Sequence, residues 1–266
     1  MDYKELGFKA GLEVHQQIDT KKLFCNCPPL VNDPNEYYLE IERTLTLSES
    51  ELGKKDIAAE FEAKKQKTFI YQAKPTSSCL VELDESPPYP LNHNALKVVL
   101  EVAKLVNAEI VDDVHVMRKI VLDGSNVSGF QRTALVARNG FINTSKGKVT
   151  IPTIYLEEEA AKKVSETEKT VTYGLDRLGV PLIEISTGPE LQDPEHVKEA
   201  ASALGMILRS TEKVKRGLGS IRQDVNISIK NHPRVELKGF QDLVSIPKVI
   251  DKEIDRQLTE KDKVSH

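Results

Sequence analysis

The sequence predicts an α+β fold: a mostly antiparallel β-sheet core with flanking helices. Two observations predict it. Strand-like stretches outnumber helical ones and often follow one another closely. Residues 219–230 ("GSIRQDVNISIK") carry the cleanest period-two alternation in the chain, and residues 234–240 ("RVELKGF") look like their hairpin partner.

The elements follow in order. Phe8, Ala10, Leu12 and Val14 alternate with Lys9, Gly11, Glu13, His15 and Gln17, the period of a half-buried strand. Residues 68–73 and 79–83 read as a strand pair, which the proline-rich stretch 85–94 interrupts. Residues 94–108 are helical and apolar almost all round, as expected of a helix lying on a sheet. Residues 113–122 are a strand. Residues 152–164 begin extended and turn into a helix, and residues 177–187 are a buried strand. Residues 193–211 form the clearest helix, with Asp193 as N-cap, Pro194 in the first turn, and Val197, Ala201, Leu204 and Leu208 on one face. In the strand at 219–230, Ile221, Val225, Ile227 and Ile229 share one face, and Arg222, Asp224, Asn226 and Ser228 the other. Residues 247–258 are a closing helix.

Composition narrows the function classes. At 266 residues the chain has room for one large domain or two smaller ones. Hydrophobic residues make up 39% and charged residues 29%, as in an ordinary globular protein. A net charge of -4 gives no global basic field, so a nucleic-acid partner needs a local patch. The absence of tryptophan leaves no evident stacking platform for single strands. No apolar run approaches the ~18 residues of a membrane span, and the start "MDYKELGFKAG" has no signal-peptide character, so no membrane association is expected. Three cysteines, Cys25, Cys27 and Cys79, suggest reduced thiols and a cytoplasmic setting.

Several residues are candidates for chemistry. Glu13 and His15 share the polar face of their strand; that face is either simply solvated or a rigid metal or acid–base pair. In "YLEEEAAK", Tyr155 and Glu157 point away from Ile154 and Leu156, and Glu158 begins the expected helix. The acids there suit either a helix dipole or a site. Glu184 lies within an apolar strand run and needs a cation, a metal or a proton. Arg222, Asp224 and Asn226 make a polar ladder, and an ion pair within it is the structural alternative. Glu13, Glu157 and Glu184 together could supply oxygens to a hard cation with His15 nearby. A histidine ligand suits Mn²⁺ or Zn²⁺ better than Mg²⁺. Cys25 and Cys27 offer half a zinc site, with only Cys79 remaining. His93 and His115 read as structural. No P-loop, G-x-S-x-G or H-E-x-x-H occurs, and the two glycines of "KRGLGS" (215–220) beside basic residues are a weak phosphate signal.

Five ordered motifs carry a resemblance: "GLEVHQQIDTKKLFCNCPP", "DGSNVSGFQRTALVA", "LEEEAAK", "DRLGVPLIEISTGPE" and "GSIRQDVNISIK". They resemble the GatB/GatE family. The first, with "HVMRKIVLDGSNVSGFQRT", looks like the GatE branch, the archaeal-type subunit of glutamyl-tRNA(Gln) amidotransferase. The resemblance implies a cradle-like domain. It also implies ATP-dependent phosphorylation of the glutamyl γ-carboxylate of Glu-tRNA(Gln), then amidation by ammonia channelled from a GatD-like amidohydrolase, in a heterodimer or dimer of heterodimers. By similarity Glu13, His15, Glu157 and Glu184 form the Mg²⁺ and ATP centre. Arg222, Asp224 and Asn226 would line the same cradle, with Arg118 and Lys119 as further phosphate or tRNA contacts. GatB-type relatives carry a second cysteine pair that this sequence lacks, so the resemblance does not carry a zinc site over to it and leaves zinc open. GatE relatives continue through inserted, helical and tail domains. The expected division here is therefore a cradle domain over 1–258 and a tail over 259–266, with little activity in isolation. Two other readings compete: a non-catalytic module docking GatD, and, without the resemblance, a metal-dependent hydrolase using the same acids.

Overall fold

The computed structural model describes residues 1–30, 37, 39–46 and 57–259. In chain order the elements are β1 (Lys9–Gln17), β2 (Leu39–Thr44), α1 (Ile57–Lys64), β3 (Thr68–Ala73), α2 (His93–Leu105), β4 (Glu109–Ile110), β5 (Val116–Ile120) and β6 (Phe130–Thr144). They continue with β7 (Gly147–Glu158), β8 (Lys162–Glu166), β9 (Thr170–Gly174), β10 (Pro181–Ser186), α3 (Pro194–Ser210), β11 (Ile221–Ser228), β12 (Val235–Phe240) and α4 (Ser245–Thr259). The expected α+β class with a mostly antiparallel sheet holds. Apart from Thr259, the tail expected over 259–266 lies outside the described residues.

The large sheet runs β12-β11-β1-β10-β7-β6-β4, with β5 also paired to β6. Every one of its ladders is antiparallel. Alternation divides its faces. Leu12, Val14, Ile154, Leu156, Ile183, Ile185, Val225 and Ile227 point one way and are buried. Three helices cover that face: α2 packs on β6 and β7, α3 on β1 and β6, and α4 on α3. Val98, Val99 and Val102 of α2, Val197, Ala201, Leu204 and Leu208 of α3, and Ile246, Ile250 and Ile254 of α4 complete the core. The opposite face of β1, β10 and β11 is left for polar groups.

Helix α3 starts as its sequence dictates. The Asp193 carboxylate accepts from the His196 N–H at 3.0 Å, satisfying a donor that has no partner inside the helix. Asn92 caps α2 in the same way, accepting from Asn94 and Ala95.

A smaller sheet, β2-β3-β9-β8, has its own core of Phe69, Tyr71, Val171, Tyr173, Leu175 and Leu178. The β3–β9 pairing is the one parallel ladder among the described residues. Tyr71 and Tyr173 donate their hydroxyls to the carbonyls of Gly124 (2.7 Å) and Asp123 (2.8 Å), tying this sheet to the loop before β6. Gly124 has φ +80, and a Cβ there would lie 2.4 Å from the Phe69 ring, so the position requires glycine.

Two expected elements are corrected. Residues 79–83 form a turn rather than the partner of residues 68–73. Both edges of β3 are already taken, by β2 and β9. No helix follows Tyr155 either: β7 runs through Glu158, and β8 begins at Lys162. The N–H groups of Glu159 and Ala161 are held by the Val180 and Ser125 carbonyls, an arrangement incompatible with a helical start. The helices of the described residues include none long and apolar enough to cross a membrane.

Candidate active site

The polar face of the large sheet builds the site from three adjacent strands. In the ladders of β1 with β10 and β11, His15 lies opposite Glu184 on one side and Arg222 on the other. Glu13 lies opposite Asp224, and Gly11 opposite Asn226. Strand neighbours of this kind stand about 5 Å apart, so their side chains meet without loop motion. His15 Nε2 is 3.4 Å from Glu184 Oε2. Asn226 donates to Glu13 at 3.3 Å. Ligand atoms of Glu13, His15 and Glu184 all lie within 4.8 Å of one another. His15 Nδ1 is buried and has no hydrogen-bond partner among the described residues.

Glu157 extends the acidic row. It accepts from Thr133 Oγ1 (2.9 Å) and from Gln131 (3.2 Å), and Lys119 Nζ stands 3.7 Å away. Burial first, then the Glu184 charge, push its carboxyl up to about 7. Burial pushes Glu184 the same way, but hydrogen bonding and charge from His15 outweigh it and hold that carboxyl below its ordinary value. Near neutral pH the two carboxyls thus carry less than two full charges, an arrangement a cation would relieve. Two carboxylates and an imidazole fit a divalent cation with a mixed oxygen and nitrogen set.

Neighbouring acids go elsewhere. Glu158, one position on, faces away and accepts from Arg132 through Nη1 (3.0 Å) and the backbone N–H (3.1 Å). Glu159 is buried, accepts from Arg222 (3.1 and 3.3 Å) and Gln17 (3.2 Å), and is held below its ordinary value by Arg222 and Arg177 despite its burial.

The structure therefore brings together Glu13, His15, Glu184 and Glu157, with Asn226 bonded to Glu13 and Lys119 beside Glu157. Three expected contributors are differently engaged. Arg222 is committed to Glu159. Asp224 accepts from the Gly239 N–H at 2.7 Å, and forms a second acidic group with Glu13 and Glu236. Arg118 stands over the Phe130 ring, 4.9 Å from its centroid; as the strand neighbour of Lys119 it points to the other face.

A second cluster was only half visible in the sequence. Cys25, Cys27 and Cys79 gather with Glu82, their ligand atoms within 4.8 Å. Cys25 Sγ lies 2.9 Å from Glu82 Oε1, and the Cys79 N–H donates to Glu82 Oε2 at 2.8 Å. The fully buried Lys22 ammonium is 3.2 Å from Glu82 and donates to the Leu175 carbonyl at 3.0 Å. The Cys25 hydrogen bond draws the Cys27 thiol down to about 7, a thiolate-favouring value. The signal was present as C-x-x-E from Cys79 to Glu82, but its partners lie far away in sequence: Cys25 is 57 residues from Glu82.

Comparison with known proteins shows the family of the chain. The family described as GatB/GatE catalytic domain matches residues 8–263. A protein of Methanocaldococcus jannaschii, named as the E-type subunit of glutamyl-tRNA(Gln) amidotransferase, is 55% identical over 97% of this chain and 41% of its own length. Proteins of the same name match at 54% identity in Archaeoglobus fulgidus, over 97% of this chain and 42% of their protein, and at 55% in Methanosarcina barkeri, over 97% and 41%. This chain thus spans well under half the length of those relatives. It belongs to the GatB/GatE catalytic-domain family.

Proposed function

We propose that the chain carries the carboxylate-activating centre of a glutamyl-tRNA(Gln) amidotransferase. The observation that carries this is the convergence of Glu13, His15 and Glu184 on rigid neighbouring strands, with Glu157 next to them. The name shared by the relatives supports the substrate. In this reading a γ-carboxylate oxygen of the glutamyl-tRNA attacks the terminal phosphorus of ATP and ADP leaves. Ammonia from a GatD-like amidohydrolase then attacks the acyl carbon, phosphate leaves, and the amide remains. The setting is the cytoplasm.

Glu13, His15 and Glu184 would hold Mg²⁺. Once bound, the ion neutralises phosphate oxygens and favours in-line attack. Lys119 adds a positive charge at the end of the acidic row. Glu157, accepting from Thr133 and Gln131 with Lys119 beside it, stands next to that centre. Asn226 fixes the rotamer of Glu13. Arg222, fastened by Glu159, is held as a positioned donor at the edge of the same face. Three thiols and one carboxylate also fit a tetrahedral Zn²⁺, so Cys25, Cys27, Cys79 and Glu82 would hold a structural zinc ion.

The reading is tested by assembling the protein with a GatD-like amidohydrolase and measuring Gln-tRNA formed from Glu-tRNA(Gln) and ATP. Glu184→Gln and His15→Ala should each lower the rate more than roughly 100-fold, beyond the loss typical of removing a group that merely supports a ligand. Wild-type turnover in both variants would sink it.

A further inference from the structure

No step of the proposed reaction uses the thiol cluster, which gathers every cysteine of the chain. Cys25, Cys27 and Cys79 are all unbridged, and their sulfurs lie within 4.8 Å of one another and of a Glu82 oxygen. A disulfide sets its two sulfurs about 2.05 Å apart. Side-chain rotation and small shifts of loop backbone close that gap.

The three thiols are not equivalent. Cys25 is buried; its Sγ donates to Glu82 Oε1 at 2.9 Å and accepts the Cys27 N–H at 3.4 Å. Cys27 and Cys79 are only half-buried. Both sit outside helices and strands, in segments whose backbone can adjust. A bridge between Cys25 and Cys27 would instead close a small ring across a single residue, far from relaxed disulfide geometry. The reachable pair is therefore Cys27 and Cys79.

The fold holds their two segments side by side. The Lys22 N–H donates to the Cys27 carbonyl at 3.0 Å, and the Leu23 N–H to the Gly179 carbonyl at 2.8 Å. Across the cluster, the Cys79 N–H is fixed on Glu82 Oε2, and the Glu85 N–H on the Leu80 carbonyl at 2.9 Å. Glu82 grips Cys25, Cys79 and the buried Lys22 ammonium together. The sulfurs are thus brought together by protein contacts, with or without a metal between them.

We propose that Cys27 and Cys79 are a reversible oxidation site, joined as a disulfide by a peroxide and unable in that state to ligate a metal. The Cys27 sulfur attacks one oxygen of hydrogen peroxide; the O–O bond breaks, and the departing hydroxide takes a proton and leaves as water. The Cys79 thiolate then attacks the sulfur of the Cys27 sulfenic acid. The S–S bond forms, the S–O bond breaks, and a second water leaves. The two sulfurs are oxidised and the peroxide is reduced. A dithiol reverses the bridge by exchange. The exclusion of zinc rests on the metal site proposed above; the bridge itself does not.

The test treats the whole chain, metal-free and zinc-loaded, with hydrogen peroxide near neutral pH. Remaining thiols are counted after denaturation, and peptide mapping without reductant locates any bridge. The metal-free protein should keep one thiol of its three, with the Cys27 and Cys79 peptides joined at a loss of two hydrogen masses. Dithiothreitol should restore all three. Cys79→Ser should stop at a sulfenic acid on Cys27 that dimedone traps. The zinc-loaded protein should react roughly tenfold more slowly, or slower still, and release its ion as the bridge forms. Unchanged thiols in the metal-free wild type, a bridge through Cys25, or bridges only between two chains overturn the proposal, and none of these outcomes depends on a variant that has to fold. A Cys27–Cys79 bridge in protein that retains no zinc upholds the oxidation site and counts against the zinc site alone.

Discussion

Lys22 is a fully buried ammonium whose partner carboxylate, Glu82, is itself only 3% exposed. Burial alone would push Glu82 up, yet Lys22 and the Cys25 thiol hold it below its ordinary value. Removing one member of a buried pair strands the other without its counter-charge. Lys22→Met should lower the unfolding free energy by roughly 3 kcal/mol, measured by urea denaturation of metal-free protein. Adding Glu82→Gln should restore much of the loss; additive losses would contradict the pairing. The thiols nearby give a separate expectation. Protein prepared with zinc should retain about one ion per chain, and Cys79→Ser should lower both that content and the melting temperature. Alternation alone placed Glu13 and His15 on a common face and preferred Glu157 to Glu158, and the geometry agrees, because a strand's period leaves no freedom. The same rule separates Lys119, at the acidic row, from Arg118, on the other face. Glu82 and Glu159 were not legible as contributors. Each meets its partners only through the tertiary fold, across 57 residues for Cys25–Glu82 and 63 for Arg222–Glu159.

Among the elements, α3 was readable because its signals are local: an Asp cap, a proline at the first turn and one apolar face. Its cap also carries a pH dependence. Burial pushes the Asp193 carboxyl up, but Lys146 and the His196 N–H outweigh it and hold it below the usual carboxylate range. A depressed carboxyl contributes stability above its unfolded value, and that contribution is lost as pH falls through the folded value. Asp193→Ala should therefore cost about 1 kcal/mol near pH 7, and the difference from wild type should shrink as pH falls below about 4, followed by thermal melting. A constant difference down to strongly acidic pH would contradict the cap. The segments at 79–83 and 158–164 were misread for a common reason. Short apolar or acidic runs do not show which backbone partners are free, and here β2, β9, Val180 and Ser125 had already claimed the relevant hydrogen bonds. No expectation covered β6, and β7 was anticipated only from residue 152; their pairing carries a register shift between Leu135 and Ala137.

At the scale of the molecule, one sheet separates two tasks. Its covered face buries aliphatic residues against α2 and α3, with α4 packed on α3; its open face presents acids and an imidazole. The formal net charge of -4 says nothing of this division, because a net charge does not record where charges sit. The chain matches only 41% of the length of the Methanocaldococcus jannaschii relative. Binding is the property this chain can be asked for directly. The decisive measurement is calorimetric titration of Mg·ATP into the whole chain and into its Glu184→Gln variant. The account predicts saturable binding by wild type and its loss, by tenfold or more, in Glu184→Gln, with both proteins equally folded by circular dichroism. Binding of equal strength in the two would contradict a metal–nucleotide centre at Glu13, His15 and Glu184.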